Sequence, residues 1–243
     1  MKFLKLFFLI IFFTQPTKAF SRTSGNYVGV DFIKTSLSFS KHSYYKNYSD
    51  KSIHTHPTSS DSFGLKYSYA FNYKNFFIAP GLIFELNNTK NNLNLSSNAG
   101  ESELILQGAT YSKIRKRYGA KIDIGFDFND YFSAYSTYGY AINYFTNYSS
   151  AYYDVDLPSN SNQWFTYKSH TTSPFIGAGL RIKINGNWLI NAEYNHTRFT
   201  TLTNAKNIYG DIITSFRGTY EAPHKTKFDN IINIIKLGVN YAF

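Results

Sequence analysis

Asn230-Ile231-Ile232-Asn233-Ile234-Ile235-Lys236-Leu237-Gly238-Val239-Asn240-Tyr241-Ala242-Phe243 is the last stretch of the chain, and its reading decides the fold. Taken two by two, it splits into rows on opposite faces of a strand. One row is Ile231, Asn233, Ile235, Leu237, Val239, Tyr241 and Phe243, apolar except at Asn233. The other mixes Asn230, Lys236, Gly238 and Asn240 with Ile232, Ile234 and Ala242. A soluble domain rarely closes on a long strand with such an apolar row. A strand whose outer row meets lipid does.

The same period recurs upstream. Phe63, Leu65, Tyr67, Tyr69 and Phe71 oppose Gly64, Lys66, Ser68 and Ala70. Tyr118, Ala120, Ile122, Ile124, Phe126 and Phe128 oppose Arg117, Gly119, Lys121, Asp123, Gly125 and Asp127. Ile176, Ala178, Leu180, Ile182 and Ile184 oppose Gly177, Gly179, Arg181 and Lys183, and Trp188, Ile190, Ala192 and Tyr194 oppose Asn191, Glu193 and Asn195. Phe76–Leu86 and Phe132–Tyr144 follow with softer contrast, and a first strand opens near Asn26. Short connections at Asn72-Tyr73-Lys74-Asn75, Asn129-Asp130 and Asn185-Gly186-Asn187 alternate with long polar ones, roughly 40–61, 88–110, 146–170 and 200–227. The pattern predicts an all-β chain: an eight-stranded antiparallel up-and-down transmembrane β-barrel. Its short turns face the periplasm and its four long loops face outward. Pairing of the last strand with the first removes free edges.

Composition agrees. Tyr (22) and Phe (23) are abundant, while charged residues make up only 16%, which suits strands and interfacial aromatic girdles. Mean hydropathy is only −0.33, because alternate residues alone meet lipid. The N-terminus reads as a secretory signal: Lys2 and Lys5, the apolar run Leu6–Phe13, then Thr17-Lys18-Ala19 with cleavage expected after Ala19. Residues 1–19 are thus a leader and 20–243 one barrel domain. That apolar run is too short for a membrane helix. The chain has no cysteine, hence no lipoprotein anchor or disulfide framework. Net charge is +10. Export argues against nucleic acid as a partner and favours anionic lipid or lipopolysaccharide phosphates, although codon bias and solubility explain the charge equally well.

A secreted β-sandwich or lipocalin-like barrel would turn the apolar rows inward. The glycine-rich polar rows and the terminal Phe243 oppose that reading. The Phe76-Phe77-Ile78-Ala79-Pro80-Gly81, Pro174-Phe175-Ile176-Gly177-Ala178-Gly179, Ala192-Glu193-Tyr194 and Tyr241-Ala242-Phe243 stretches, with the Thr17-Lys18-Ala19 leader end, resemble small eight-stranded outer-membrane barrels of the OmpA/OmpX type and their opacity-protein and surface-antigen relatives. The resemblance implies a Gram-negative outer-membrane protein, a monomer, and Tyr241 and Phe243 as the signal read by the barrel-assembly machinery.

Two features are irregular. Pro80 lies in mid-strand, where a bulge is expected, while Pro174 suits a strand end. In the first strand Lys34, Ser36 and Ser38 share the face of Val28, Val30 and Phe32. Either the strand leaves the bilayer near Lys34 or a bulge switches its faces.

The predicted lumen holds Glu85, Asp123, Asp127 and Glu193 with Lys66, Arg117, Lys121, Arg181, Lys183 and Lys236. In a barrel of this size these side chains fill the interior, and buried charges must be paired or hydrated. A plugged ion-pair core is favoured over a pore; a water path through it would prefer anions, given the basic excess. Lys113-Ile114-Arg115-Lys116-Arg117 enters its strand from outside, with Arg117 inward and Lys116 and Ile114 outward.

No catalytic, cofactor or metal constellation emerges. His54-Thr55-His56 lacks completing ligands, and Asp154-Val155-Asp156 lacks calcium-loop spacing. No nucleophile elbow or phosphate loop occurs. The expectation is therefore a surface protein, not an enzyme. Its Tyr-, Asn- and Ser-rich loops would serve adhesion or host-surface contact. A small porin-like channel is the alternative, and a barrel enzyme with a Ser/His pair across strands is the least favoured.

Overall fold

A computed structural model of the chain describes residues 25–44, 51–96, 105–154, 163–204 and 225–243. The leader 1–19, His224 and Asp156 lie outside them. Nine strands form one antiparallel sheet: β1 (Gly25–Tyr44), β2 (Lys51–His54), β3 (Thr58–Tyr73), β4 (Phe76–Ser96), β5 (Ile105–Asp127), β6 (Phe132–Asp154), β7 (Gln163–Asn185), β8 (Trp188–Asn204) and β9 (Lys225–Ala242). β1 pairs with both β2 and β3, neighbours in sequence pair from β3 to β9, and β9 pairs back onto β1 from Tyr27↔Ala242 to Tyr44↔Lys225. Eight long strands therefore close a barrel. The four-residue β2 only extends β1 at its outer end, through Ser40↔His54 to Ser43↔Lys51.

Alternation fixes which face is out. Phe63, Leu65, Phe71, Phe76, Ile78, Leu82, Phe84, Leu86, Ile124, Ile176, Leu180, Ile182, Leu237 and Val239 are all exposed on the outer wall. On β4 this row runs from Phe76 to Leu86. About eleven residues, each rising ~3.3 Å on a strand tilted ~45°, cover about 25 Å, the height of an outer-membrane apolar band. Burying such a row in water-free surroundings is favourable, whereas in water it is a patch no soluble monomer keeps exposed. Trp188 packs edge-on against Tyr241 (5.0 Å) and Tyr241 stacks on Phe243 (6.3 Å), a girdle at the turn end.

The turns are tight. Lys74 (φ 56) closes β3–β4, and Gly186 (φ 48) closes β7–β8. Between β5 and β6 the Asn129 side chain accepts from the amides of Tyr131 and Phe132, at 2.9 and 2.8 Å.

Several expectations are corrected. β5, β6 and β7 each run 23 residues, twice what the bilayer needs. Much of 88–110 and 146–170, expected as loop, is thus strand standing above the membrane. The remaining connections 45–50, 97–104, 155–162 and 205–224 lie outside the described residues. Pro80 carries no bulge: it pairs with Ile122, and the β3–β4 ladder resumes in the same register beyond Tyr69 and Ala70. The sheet instead shifts register between Leu86 and Thr89 and between Ile114 and Lys116. That shift turns Ile114 inward, where it is buried, and not outward as its parity with Lys116 suggested. In β1 no register shift occurs against β3 or β9, so Lys34 stays on the outer wall, opposite Asp61.

Above the band the wall divides. The β7–β8 ladder ends outward at Phe175↔Thr197, next to Pro174, and the β3–β4 ladder ends at Gly64↔Glu85. The outer parts of β4–β7 form one sheet and those of β8, β9, β1, β2 and β3 another. Ile114 and Phe145 from the first meet Ile33, Leu37, Phe199, Ile232 and Ile234 from the second in a buried apolar layer.

Candidate functional site

The lumen is filled in three tiers. Nearest the turns, the Arg181 guanidinium lies among three rings: Tyr27 (5.3 Å), Phe77 (5.0 Å) and Tyr135 (5.2 Å). Its Nη2 is 3.7 Å from Asp123. From there charges alternate in sign up the barrel. Asp123 meets Lys121 at 3.0 Å, and Lys121 meets Glu193 at 2.7 Å. Glu193 meets Lys236 at 2.9 Å, Lys236 meets Glu85 at 2.8 Å, and Glu85 accepts from Arg117 at 3.0 Å. Arg117 then covers the Phe175 ring at 4.3 Å. The buried apolar layer closes the top. Asp123 and Lys121 share β5, and Glu85–Arg117 and Glu193–Lys236 are direct partners on neighbouring strands, but Arg181–Asp123, Lys121–Glu193 and Lys236–Glu85 reach across the lumen and form only once the barrel closes.

Beside this chain Lys66 donates to Asp31 and to Asn191, both at 2.6 Å. Gly238 makes room for it: a Cβ there would fall on the Asp31 carboxylate. Asp127 accepts from the Ser133 hydroxyl at 2.6 Å. Lys183 stays half-buried near the β7–β8 turn, outside the run of pairs.

Asp31, buried at 3% exposure, was missed by sequence reading. Its parity between Val30 and Phe32 was the available signal. Counting it, Lys66, Arg117, Lys121, Arg181 and Lys236 are balanced by Asp31, Glu85, Asp123, Asp127 and Glu193. With Lys183, half-buried on the same inward parity at the turn end, the basic excess expected of the lumen falls from two to one, and the reason to expect anion preference weakens with it. The inward rings of Tyr27, Phe77, Tyr135 and Phe175 were also missed, because period two does not say which aromatic row faces in. The lumen leaves a cavity of about 10 Å³ beside Tyr27, Lys66, Asp123, Arg181 and Asn240, room for roughly one water.

At the outer rim, Asp229 lies 3.5 Å from His42 and 2.9 Å from Lys227, and accepts from Thr200. Burial opposes its charge, but the Thr200 and Lys227 hydrogen bonds and the Lys227 and Arg198 charges outweigh that and hold its carboxyl below the usual range. Ser40 Oγ and His54 Nδ1 share a hydrogen bond of 2.6 Å, and His42 stands edge-on to His54 at 6.2 Å. This is a Ser/His pair across strands, but the rim carboxylate Asp229 lies against His42 and not His54. His56 is exposed, and its carbonyl accepts from Asn91 at 2.8 Å. His170 stacks on Tyr144 (5.6 Å), and His196 bonds Asn233 (2.8 Å). Among the described residues no cluster of His, Cys, Asp or Glu fit for a metal occurs.

A closed barrel with an apolar outer wall and a charged, filled lumen is a transmembrane β-barrel of the bacterial outer membrane. The chain belongs to the outer membrane protein beta-barrel domain family, whose model matches residues 6–243. Among solved structures, Ail, the attachment invasion locus protein of Yersinia pestis, is 16% identical (TM-score 0.40). The alignment covers 91% of this chain and all of that one, in a complex with the heparin analogue sucrose octasulfate. OprG of Pseudomonas aeruginosa is 14% identical over 92% of this chain and 99% of that one (TM-score 0.44). The Escherichia coli outer membrane protease OmpT is 12% identical over 95% and 100% (TM-score 0.48). No curated protein matches the chain in sequence.

Proposed function

We propose that the protein is a surface-display protein, in which the barrel is an anchor and the outer part of the strands, with their connections, is the working surface. The filled lumen carries this reading: an aromatic cage, an alternating ion-pair chain and an apolar layer occupy the interior in series. The strands above the band add a second support. They form two sheets packed on their own apolar layer, a rigid platform for the four outer connections. Partners would be host or other cell-surface molecules, contacted through Tyr-, Asn- and Ser-rich surface. The test is adhesion of cells displaying the intact protein against cells displaying a barrel with residues 45–50, 97–104, 155–162 and 205–224 shortened. Equal adhesion to host cells and matrix refutes the reading.

The second reading is a narrow conductor of water or small ions. It is supported by buried polar atoms with no protein partner, Arg181 Nε and Nη1 and Asn191 Nδ2, close to the small cavity. Single-channel recording of the refolded barrel separates the two readings, since steady openings place the pore first. In either reading residues 1–19 serve as a cleaved leader, testable by N-terminal sequencing of the mature protein. Tyr241 and Phe243 serve as the assembly signal. Phe243 already ties the end of β9 to Asn26, with N–H···O contacts of 3.0 and 3.3 Å. Deleting Phe243 is expected to lower the assembled fraction in cells more than refolding in detergent.

A further inference from the structure

The register shift in β5 breaks the alternation of its side chains. Ile114 and Arg117 both point inward and are buried, so the two residues between them, Arg115 and Lys116, both lie exposed on the outer wall. Lys113 belongs to the same wall, and in β4 Lys90 pairs directly opposite Lys113. Four cations thus occupy one strand pair. Like charges directly opposite each other are destabilising. Elsewhere the fold avoids this arrangement: the lumen alternates in sign, Lys34 faces Asp61, and Lys227 pairs with Asp229. On the outer faces of β4, β5 and β6 the one carboxylate position among the described residues is Asp154, in register with Ile105 and eight residues beyond Lys113 along β5.

Position supplies the counter-charge. Lys116 is in register with Leu86, the last exposed apolar residue of the β4 row, so the cluster stands at the upper edge of the lipid-facing band. That is the level of outer-leaflet headgroups. Aromatic rings hold the cations in place: Lys90 Nζ is 4.1 Å from the Tyr111 ring centroid, and Lys116 Nζ is 4.5 Å from that of Tyr144. Tyr111 in turn stacks on Tyr148 (4.7 Å), and the Tyr118 and Tyr144 hydroxyls are 2.7 Å apart. Fixed ammonium groups, a guanidinium able to grip phosphate in two-pronged fashion and hydroxyls beside acyl-chain height match a phosphorylated glycolipid.

We propose that Lys90, Lys113, Arg115 and Lys116 form a binding site on the barrel wall for the phosphates of an outer-leaflet glycolipid of the lipid A class. The site is independent of what the outer connections bind. It holds the barrel at a set depth and supplies the anion that the Lys90–Lys113 pairing needs.

The test uses the folded barrel in phosphatidylcholine nanodiscs doped with bisphosphorylated lipid A, with retained glycolipid read by native mass spectrometry. Folding of each variant is checked by its heat-modifiable gel mobility. Lipid A retention is expected to fall roughly fivefold for each charge removed by K90Q, K113Q, R115Q and K116Q. It should be unchanged in K74Q at the opposite rim. Equal retention in the four-site variant, or of fully dephosphorylated lipid A by the parent protein, overturns the proposal. Displacement of lipid A by millimolar inorganic phosphate also overturns it, in favour of a free-anion site. Lys90→Glu guards against a purely structural role. In glycolipid-free detergent it should raise the unfolding temperature, because it pairs with Lys113, while lipid A retention falls. Loss of both stability and retention refutes the site.

Discussion

Replacing Lys236 by Met probes the lumen at its centre. Lys236 is 1% exposed and bridges two carboxylates, Glu85 at 2.8 Å and Glu193 at 2.9 Å. Met matches its stem and removes only the charge. Glu85 then keeps Arg117 and Glu193 keeps Lys121, but the balanced network carries one excess negative charge. Breaking a buried pair from one side costs about 3–5 kcal/mol, mostly the desolvation of the charge left behind. Removing one carboxylate as well restores neutrality. K236M/E193Q should therefore recover part of the loss, with a coupling energy of about 1–3 kcal/mol. The assay is urea unfolding in lipid vesicles, followed by Trp fluorescence and gel mobility. A loss below about 1 kcal/mol for K236M, or strict additivity in the double variant, would refute a dry, paired lumen. It would mean that water already solvates these groups, and would strengthen the channel reading.

Other perturbations separate the remaining tiers. Phe145→Ala removes a ring buried between the two outer sheets and packed on Phe199 at 5.6 Å; it should cost about 3–5 kcal/mol in the same unfolding assay. Gly238→Val should push the Asp31 carboxylate off Lys66 and cost about 1–3 kcal/mol, visible as earlier unfolding, whereas I235V on the opposite, lipid-facing side should not. Lys41 lies above the band, opposite Phe228, and burial pushes its ammonium down to about 8. Below pH 8 both folded and unfolded chains hold that proton. Between about 8 and the ordinary 10.5 only the unfolded chain does, so stability should rise with pH across that window. Lys41→Met should remove the rise, and NMR of dimethylated lysines should show one titration near 8.

The barrel was legible because lipid and lumen demand opposite polarity from alternate residues. Phe126 and Asp127 are adjacent in sequence, yet one faces outward and the other is buried against Ser133. The turns were legible for a local reason as well: Gly186 takes a positive φ that other residues resist. Less local features escaped. The outer strands were expected as loops because Asn, Ser and Thr replace the apolar row there. Yet their ladders continue, since no lipid is present to require that row and Asn91 secures the wall by donating to Leu37 and His56. Asp31 and the rings of Tyr27, Phe77 and Tyr135 escaped because the period assigns residues to a shared face without saying what lies across the lumen.

The amino-acid sequence by itself determined the strand order, the lipid-facing rows, the tight turns and which charges share the inner face, because each depends on residues a few positions apart. Only the tertiary structure decided the pairing. Lys121 reaches Glu193 across 72 positions, and Lys66 reaches Asn191 across 125, through a lumen whose register exists only once β9 closes on β1. It also decided the outer wall of β5, where one extra residue turns Ile114 inward and sets Arg115 beside Lys116. A bulge depends on the neighbouring ladders, and no period within one strand reports it.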